Sequence, residues 1–408
     1  MSQGFIERSL QAVLERAFNQ FPAVVVTGPR QSGKTTLLRH HFSGRCGYVS
    51  MEPPDVRAAA VADPRGFLAA HQSPLIIDEV QYAPDLLSYI KEKIDSDRAR
   101  PGQYLLTGSQ NLQLVGRITE SLAGRVAMLQ LLPLAHREAE GRPLAGLAWE
   151  SDPQGARAEQ TVPSGNTWND FLRGWYPELV ANPERDITLW HAGYVQTYLE
   201  RDVRNIRQIG DLTQFQSFIR TLAAQSAQLL NLADLARGLG IAVNTARSWL
   251  SVLEATYQVI VLRPYHANVG KRLVKTPKVY FTDPGTLCYL TGLRDPAHAA
   301  QGPMGGKIME TAVLSEIFKT LLHRGVEPRI YFWRTSTGSE VDIAVEADEK
   351  LVPIEVKLSS TPRPEMSLSI QAFQADLPGR STPGYVVHPG SIRLPLGPSV
   401  TALPFSEL

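Results

Sequence analysis

The chain has 408 residues, enough for two or three domains, and its 43% hydrophobic and 20% charged residues are typical of a globular protein. A formal net charge of +1 excludes a strong overall attraction to nucleic acid or to a membrane surface, so any such surface has to be local. Two cysteines far apart in sequence, Cys46 and Cys288, favour a reducing compartment. Residues 6–18 have an amphipathic pattern rather than that of a signal peptide, and no run approaches about 20 apolar residues, so we expect a cytoplasmic protein without a membrane partner.

The stretch from Gly28 to Thr36 is the first motif that carries chemistry. It reads GPRQSGKTT and fits the pattern G-x-x-x-x-G-K-[ST] of phosphate-binding loops. Residues 23–27 predict a buried strand before it and residues 35–39 the start of a helix after it, so backbone N–H groups and a positive helix end would converge on a phosphate. We expect Lys34 to reach the β- and γ-phosphates of ATP, and the Thr35 hydroxyl to bind Mg²⁺. The residues expected to bind the nucleotide are Gly28, Pro29, Arg30, Gln31, Ser32, Gly33, Lys34, Thr35 and Thr36.

A second strand is predicted over residues 73–77, and two acids, Asp78 and Glu79, follow it. At the carboxyl edge of a parallel sheet, Asp78 would lie beside the Mg²⁺ bound at Thr35. Glu79 would then orient or deprotonate the attacking water. The pair alone is also typical of a solvated turn, and the phosphate-binding loop upstream is what favours the catalytic interpretation.

Small polar residues and an arginine follow in positions that suit the same site. The strand predicted over residues 103–108 ends at Ser109 and Gln110, either of which would hydrogen-bond the γ-phosphate or the water; a plain turn is the alternative. Arg125 lies just past a glycine and would stabilise negative charge on the γ-phosphate, in ring-forming ATPases that of the neighbouring subunit. A surface arginine is the alternative, and Arg117 is the other candidate.

The region after residue 140 changes in composition. Glycine, proline, alanine and polar residues dominate residues 141–167, which predicts a linker or an insertion. Aromatic residues resume at Trp168, and residues 190–208 have a helical pattern. Three arginines at spacing i, i+3, i+6 share a face of that helix: Arg201, Arg204 and Arg207. They would contact nucleotide, a neighbouring subunit or phosphodiester; a solvated helix face is the alternative.

A helix-turn-helix is predicted over residues 232–253, followed by a strand over residues 258–263. The second helix would present polar residues to a DNA groove: Asn244, Thr245, Arg247 and Ser248. Residues 266–278 contain four basic residues and no acid, which is typical of a wing that contacts phosphates. These are Lys271, Arg272, Lys275 and Lys278. A lid or packing module is the alternative.

A metal site is predicted in the last third of the chain. Glu310 lies near the start of a predicted helix, Asp342 opens a strand, and Glu355 and Lys357 alternate on the next strand and so share a face. The set resembles the PD-(D/E)xK nuclease core, in which acids bind Mg²⁺ and the lysine steadies the attacking water. Such a core either cleaves a phosphodiester or serves as a binding module.

Several of these motifs together resemble the AAA+ class of ATPases, and particularly a bacterial and archaeal family that carries a C-terminal domain of unknown function. The resemblance implies ATP hydrolysis with Mg²⁺ and assembly into a ring, which we expect to be a hexamer. The segments that carry it are residues 28–36, 75–79, 105–110, 121–125, 175–179, 198–203, 277–283, 340–342 and 355–357.

The expected fold is therefore α/β. A P-loop AAA+ domain, with a parallel sheet and helices on both faces, would occupy residues 1–140. After the linker, a helical and winged-helix domain would follow over residues 168–265, with its wing reaching to about 283. A C-terminal α/β domain similar to restriction endonucleases would occupy residues 284–408.

Three functions are open at this point. The leading hypothesis is an oligomeric ATPase that acts on DNA, with branched or Holliday-junction DNA as the candidate substrate. The alternative is a signalling or defence ATPase whose C-terminal domains bind a protein partner. The third is an ATP-gated, metal-dependent nuclease.

Overall fold

The computed structural model describes residues 4–109, 116, 118, 120–150, 167–197, 211–266, 276–336 and 338–408. None of the helices in these ranges combines the length and the apolar character that crossing a membrane requires.

The N-terminal part is a parallel sheet covered by helices. Its strands are β1 (Ala23–Gly28), β2 (Gly47–Ser50), β3 (Leu75–Asp78), β4 (Tyr104–Ser109) and β5 (Val126–Gln130). Its helices are α1 (Leu10–Gln20), α2 (Lys34–His41), α3 (Pro54–Ala62), α4 (Pro64–Ala70), α5 (Leu86–Ser96) and the short α6 (His136–Ala139). In the described residues the strands lie in the order β2-β3-β4-β1-β5, and each neighbouring pair is parallel.

Both faces of this sheet are buried, as its sequence requires. Strand β1 reads AVVVTG and is buried throughout. Val24 and Val26 pack into one apolar core together with α1 and α2, whereas Val25 packs into a second core on the opposite face together with α5. Continuous apolar runs of this kind are typical of parallel strands covered on both sides. The predicted α/β class and its N-terminal parallel sheet are confirmed.

Helices dominate the middle of the chain. They are α7 (Thr167–Arg173), α8 (Pro177–Ala181), α9 (Ile187–Thr197), α10 (Leu212–Ala224), α11 (Leu232–Gly238) and α12 (Val243–Ala255). Helices α11 and α12 form the predicted helix pair, and Asn231 caps the first of them by accepting a hydrogen bond from the backbone of Asp234.

The C-terminal part is a mixed sheet packed against helices. Its helices are α13 (Pro284–Leu290), α14 (Pro296–Gln301), α15 (Gly305–His323) and α16 (Leu368–Asp376). Its strands are β6 (Val259–Pro264), β7 (Lys278–Phe281), β8 (Ile330–Arg334), β9 (Glu340–Ala347), β10 (Lys350–Val356), β11 (Gly384–His388), β12 (Leu394–Gly397) and β13 (Val400–Pro404). In the part of the chain that is described, their order is β12-β13-β11-β10-β9-β8-β6-β7.

The hairpin of β6 and β7 belongs to this C-terminal sheet. Strand β6 pairs with β7 in antiparallel register, and its last residues, Arg263 and Pro264, pair with Tyr331 and Phe332 of β8. The boundary expected near residue 283 therefore falls inside a continuous sheet. The strands on its two sides share backbone hydrogen bonds, which a sequence pattern does not reveal.

The expected linker also contributes to the core over its first ten residues. Leu147 is fully buried, and Glu150 accepts a hydrogen bond from its backbone at 2.8 Å and pairs with Arg324 at 2.5 Å. Residues 151–166, the rest of the expected linker except Thr167, lie outside the described residues.

Candidate nucleotide site

The phosphate-binding loop leaves β1 at a residue that has to be glycine. Gly28 has φ +150°, and a Cβ there would come within 2.0 Å of the carbonyl oxygen of Leu131. Gly33, at φ +92°, makes the second sharp turn, and α2 begins at the next residue. The ammonium group of Lys34 is buried and donates to the carbonyl oxygens of Gly28 (3.0 Å) and Pro29 (2.8 Å). The lysine therefore lies folded over its own loop, at the place where a phosphate would bind.

The two expected Mg²⁺ residues are in direct contact. The Thr35 hydroxyl donates to Oδ1 of Asp78 at 2.8 Å, because β3 ends beside the start of α2. Asp78 is buried, and its Oδ2 accepts a hydrogen bond from the Tyr48 hydroxyl at 3.1 Å. One hydroxyl and one carboxylate oxygen at this spacing fit the ligand set that P-loop ATPases offer to Mg²⁺.

Glu79 is held in an unusual backbone conformation. Its φ of 56° lies in the left-handed region, which costs a residue other than glycine about 1 kcal/mol or more. The strain is offset locally, since the Glu79 N–H donates to the Thr107 hydroxyl at 3.1 Å and the carboxylate accepts a hydrogen bond from Gln81. The side chain is thereby turned to the cavity that also contains Lys34 and Thr35.

Thr107 is a site residue that the sequence did not single out. It is buried in β4, donates to Oδ1 of Asp78 and accepts from the backbone of Glu79, so it touches both predicted acids. A threonine two residues before the end of an apolar strand is a weak signal. Ser109, the residue that was singled out, ends the same strand, and its backbone pairs with Gly28. Gln110 lies outside the described residues.

Arg125 lies far from the phosphate-binding loop of its own chain. It precedes β5, beside Ala23 at the start of β1, whereas the loop leaves the other end of that strand. Its guanidinium forms a bidentate pair with Asp95, at 2.7 and 3.0 Å. The guanidinium also lowers the pKa of that carboxyl. The other candidate, Arg117, lies outside the described residues.

Two cavities flank the loop. One of about 340 Å³ is lined by the loop, by Glu79 and by two residues of α9, Tyr194 and Thr197. The other, of about 460 Å³, also touches Gly33 and is bordered by residues 4–6, by α2 and by α8. In it the ring of Phe5 stacks on His40, with centroids 3.7 Å apart and planes 13° apart. The first cavity suits phosphates, and the second suits a flat heteroaromatic ring.

A buried ion-pair network backs the loop. Arg8 donates to the carbonyl oxygens of Ser32 (2.9 Å) and Leu132 (2.7 Å) and lies 3.3 Å from the carboxylate of Glu138. His323, the last residue of α15, contacts the same carboxylate at 3.1 Å. Although burial opposes ionisation, Arg8 and His323 hold the pKa of Glu138 far below its usual range. The network joins the loop to the C-terminal domain.

The predicted C-terminal acids are also brought together. Glu310 from α15, Asp342 from β9 and Glu355 from β10 form a cluster, which we call the acidic centre. It also contains Glu340 of β9, which was not among the predicted acids. Lys357 pairs with Glu355 at 2.5 Å. Lys278 was expected to contact DNA from the wing. Instead it is buried and directed into the acidic centre, because it opens β7 within the sheet.

The predicted DNA-binding residues of α12 are at the surface. Asn244 and Arg247 are exposed, Thr245 is half-buried, and the Arg247 guanidinium donates to the Asn244 side chain at 3.2 Å. Three basic wing residues, Lys271, Arg272 and Lys275, lie outside the described residues, as do Arg201, Arg204 and Arg207.

Family models match three successive parts of the chain. An AAA domain matches residues 20–140, which contain the phosphate-binding loop, Asp78, Glu79 and Thr107. A domain of unknown function (DUF8612) matches residues 167–297, and a second one (DUF4143) matches residues 305–408.

Among solved structures, a similarity is found to the Walker-type ATPase PABY2304 of Pyrococcus abyssi. The identity is 16%, the TM-score is 0.47, and the match covers 71% of this chain and 97% of that one. A weaker one is found to a variant of RuvB from Thermotoga maritima. Here the identity is 15%, the TM-score is 0.28, and the match covers 62% of this chain and 85% of that one.

Two curated relatives are 33% identical to this chain over 404 residues. They are the uncharacterized protein Rv2008c of Mycobacterium tuberculosis and the uncharacterized protein Mb2031c of Mycobacterium bovis. The match covers 98% of this chain and 84% of each relative. The chain therefore belongs to the family of these two mycobacterial proteins, and its N-terminal domain is a P-loop ATPase domain of the AAA type.

Proposed function

We propose that the protein hydrolyses ATP with Mg²⁺ and uses the cycle to act on DNA. In this proposal Lys34 turns from its own carbonyl groups to the β- and γ-phosphates, and Thr35 and Asp78 hold the Mg²⁺. Glu79 deprotonates or orients the attacking water. Thr107 fixes Asp78 by its hydroxyl and Glu79 by its backbone. The single observation that carries the ATPase part is the contact between Thr35 and Asp78 at the end of an intact phosphate-binding loop.

The proposed position of the base is the cavity beside Gly33. The Phe5–His40 stack and Pro177 offer apolar and aromatic surface there, and Glu178 offers a hydrogen-bond acceptor. Residues of the N-terminal segment, of α2 and of α8 would thus surround the base. A nucleotide bound in this way would contact both the ATPase domain and the middle of the chain.

Helix α9 would carry the signal of hydrolysis to the C-terminal sheet. Tyr194 and Thr197 line the cavity proposed for the phosphates. The Tyr194 hydroxyl accepts a hydrogen bond from Gln258 at 3.0 Å, and Gln258 immediately precedes β6. Loss of the γ-phosphate would therefore shift Tyr194. The hydrogen bond to Gln258 would pass this shift to the hairpin of β6 and β7.

Contact with DNA is proposed for the start of α12. Its polar residues Asn244, Thr245 and Arg247 are accessible, and side chains of this kind read base edges and phosphates. The near-neutral net charge of the chain limits the attraction to this local surface. Duplex, single-stranded and four-way-junction DNA are the candidates, and a protein partner on the same surface is the competing hypothesis.

The ATPase part is tested by a pair of variants. Lys34→Ala should greatly weaken nucleotide binding, whereas Glu79→Gln should still bind ATP and lose turnover by about 10²- to 10⁴-fold, the usual contribution of a general base. ATP binding is measured by titration and turnover by phosphate release. Normal turnover in Glu79→Gln would remove this residue from the mechanism.

The DNA part is tested by binding assays with the three DNA forms at several salt concentrations, with and without ATP. Arg247→Ala should weaken binding by about 1–3 kcal/mol. The matched control is Arg65→Ala, which removes an exposed arginine that pairs with Glu92 in the ATPase domain. Absence of salt-dependent binding to any of the DNA forms would refute the DNA proposal and favour the protein partner.

A further inference from the structure

The acidic centre contains a lysine where a nuclease core would hold a metal ion. Its carboxylates are those of Glu310, Glu340, Asp342 and Glu355. The ammonium group of Lys278 lies 2.7 Å from Glu340, 3.2 Å from Glu310 and 3.9 Å from Asp342. Two of these three partners, Glu310 and Asp342, are among the residues that the nuclease-like pattern assigns to a metal.

The lysine is a built-in part of the sheet rather than a surface side chain that has folded inward. Lys278 opens β7, pairs across the hairpin with Leu262, and is 4% exposed. Its ammonium also lies 5.5 Å from the centroid of the Phe332 ring. A charge buried in this way is retained only when it is paired.

Each of the three carboxylates that Lys278 contacts has a further donor beside it. The Tyr280 hydroxyl donates to Glu310, and the backbone N–H of Val356 donates to Oδ2 of Asp342 at 2.9 Å. Arg334 lies 3.5 Å from the second oxygen of Glu340. A divalent ion would have to displace Lys278 and compete with these donors as well. The arrangement does not fit a resident metal.

The pKa of Lys278 is consistent with a cation held at this position. Burial would by itself lower the pKa of Lys278, but the carboxylates of Glu310, Asp342 and Glu340 outweigh it and raise that pKa.

We propose that Lys278 is the resident cation of the acidic centre, so that the C-terminal domain binds no divalent metal there and does not cleave phosphodiesters. The ammonium group does the structural work of a metal, since it ties β7 to α15 and to β9. This proposal is independent of the ATPase function. It excludes the ATP-gated nuclease among the three hypotheses drawn from the sequence.

The experiment measures Mn²⁺ binding to the full chain by electron paramagnetic resonance without nucleotide. Wild type and Lys278→Arg, which keeps the charge, should take up no Mn²⁺ at the acidic centre. Lys278→Met removes the charge and preserves much of the volume, so it should gain a Mn²⁺ site. The double variant Lys278→Met with Asp342→Asn should lose the gained site. Any ion bound at Thr35 and Asp78 is common to all the variants, and the differences therefore isolate the acidic centre.

Two results of the Mn²⁺ measurement would overturn the proposal. One is Mn²⁺ uptake by the wild type that falls in Asp342→Asn, and the other is a folded Lys278→Met that gains no site. If Lys278→Met does not fold, the wild type and Asp342→Asn decide alone: equal uptake supports the proposal, and lower uptake by Asp342→Asn refutes it. Nicking of supercoiled DNA with Mn²⁺ by the wild type that disappears in Glu355→Gln would refute it as well.

Discussion

Single hydroxyl groups organise the nucleotide site at the residue scale. Thr35 and Thr107 both donate to the same oxygen of Asp78, and Thr107 also receives the backbone N–H of Glu79. When Mg²⁺ binds, the Thr35 hydroxyl is expected to turn to the ion, and Thr107 then remains as the group that orients Asp78. Residues one step behind the ligands commonly set affinity and activity by 10- to 100-fold.

We therefore expect Thr107→Val to lower the rate of ATP hydrolysis by about 10- to 100-fold, with folding intact because valine has nearly the same shape. The measurement is phosphate release at saturating ATP, with circular dichroism to follow the fold. Thr256→Val is the matched control, since it removes a buried hydroxyl that donates to the backbone carbonyl of Val252 in α12. Equal losses in the two variants would assign the effect to packing instead of catalysis.

Titration of the acidic centre gives a second prediction at this scale. The pKa of Glu355 rises from its ordinary 4.5 to about 7 on folding, mainly through burial. Between these values the unfolded chain loses its proton first, so the folded state binds more protons and the free energy of unfolding falls as the pH rises. Stability from this group is complete below about pH 4.5 and is lost by the time the pH has passed about 7.

Glu355→Gln should remove this part of the pH dependence. The thermal midpoint of the wild type is expected to fall between about pH 5 and about pH 8, and the midpoint of the variant to fall less. Unfolding is followed by calorimetry across the range. An unchanged slope in the variant would show that other groups cause the fall.

The sequence predicted those site residues whose role follows from neighbours in the chain. Lys34 and Thr35 belong to one contiguous motif, and Asp78 and Glu79 end an apolar strand. Thr107 contacts Asp78 and Glu79 because β3 pairs with β4, and this pairing is not visible in the local sequence. The prediction for Lys278 was wrong because its surroundings also depend on strand pairing. A basic run in the sequence is typical of a wing, but only strand pairing shows that one of its lysines points into a cluster of acids.

At the scale of elements, α15 connects the parts of the molecule. Over 19 residues it carries Glu310 at the acidic centre, Glu316 against Arg137, and His323 against Glu138. The pair of Arg137 and Glu316 is buried on both sides, with a distance of 2.8 Å, and Glu316 also accepts the backbone N–H of His136. A long helix with such spacing transmits displacement as a rigid body better than a loop does.

We expect Glu316→Gln to lower the free energy of unfolding by about 3–5 kcal/mol, because it leaves the Arg137 charge buried without its partner. Replacing both residues, Arg137→Met with Glu316→Leu, should recover part of the loss. Denaturant titration of the single and double variants measures the coupling. Additive losses would mean that the two side chains do not stabilise each other.

The element boundaries show what periodicity can and cannot reveal. Helices α11 and α12 have strong local patterns and lie close to their predicted positions. The boundary near residue 283 was placed at the end of the expected wing, whereas β6, before it, pairs with β8, more than 60 residues later in the chain. Such long-range pairing leaves no mark on local composition.

At the scale of the whole molecule, the position of Arg125 bears on whether two copies of the chain share a nucleotide site. It lies at the opposite end of the sheet from the phosphate-binding loop of its own chain, so it can serve the γ-phosphate only of another copy. On assembly, the Arg125 guanidinium would then leave Asp95 and contact the γ-phosphate bound to the neighbouring chain.

We expect Arg125→Ala and Lys34→Ala chains to be inactive alone and to regain ATP hydrolysis when they are mixed. In a mixed assembly, the intact loop of one chain would meet the intact Arg125 of the other. The measurement is phosphate release against the mixing ratio, and Arg65→Ala serves again as the control with an exposed arginine removed. A mixture as inactive as its parts would leave Arg125 as a structural residue that pairs with Asp95.

Trp190 lies where its fluorescence can report on the nucleotide site. Its ring stacks on Tyr194 at 5.4 Å with planes 5° apart, and its indole N–H donates to Glu178 at 3.1 Å. Tyr194 borders one cavity of the nucleotide site and Glu178 borders the other. Indole emission depends on stacking and on the polarity around the ring. Occupation of either cavity would therefore change the fluorescence of a residue that does not itself bind the ligand, and the steps of the nucleotide cycle become observable in real time without a label.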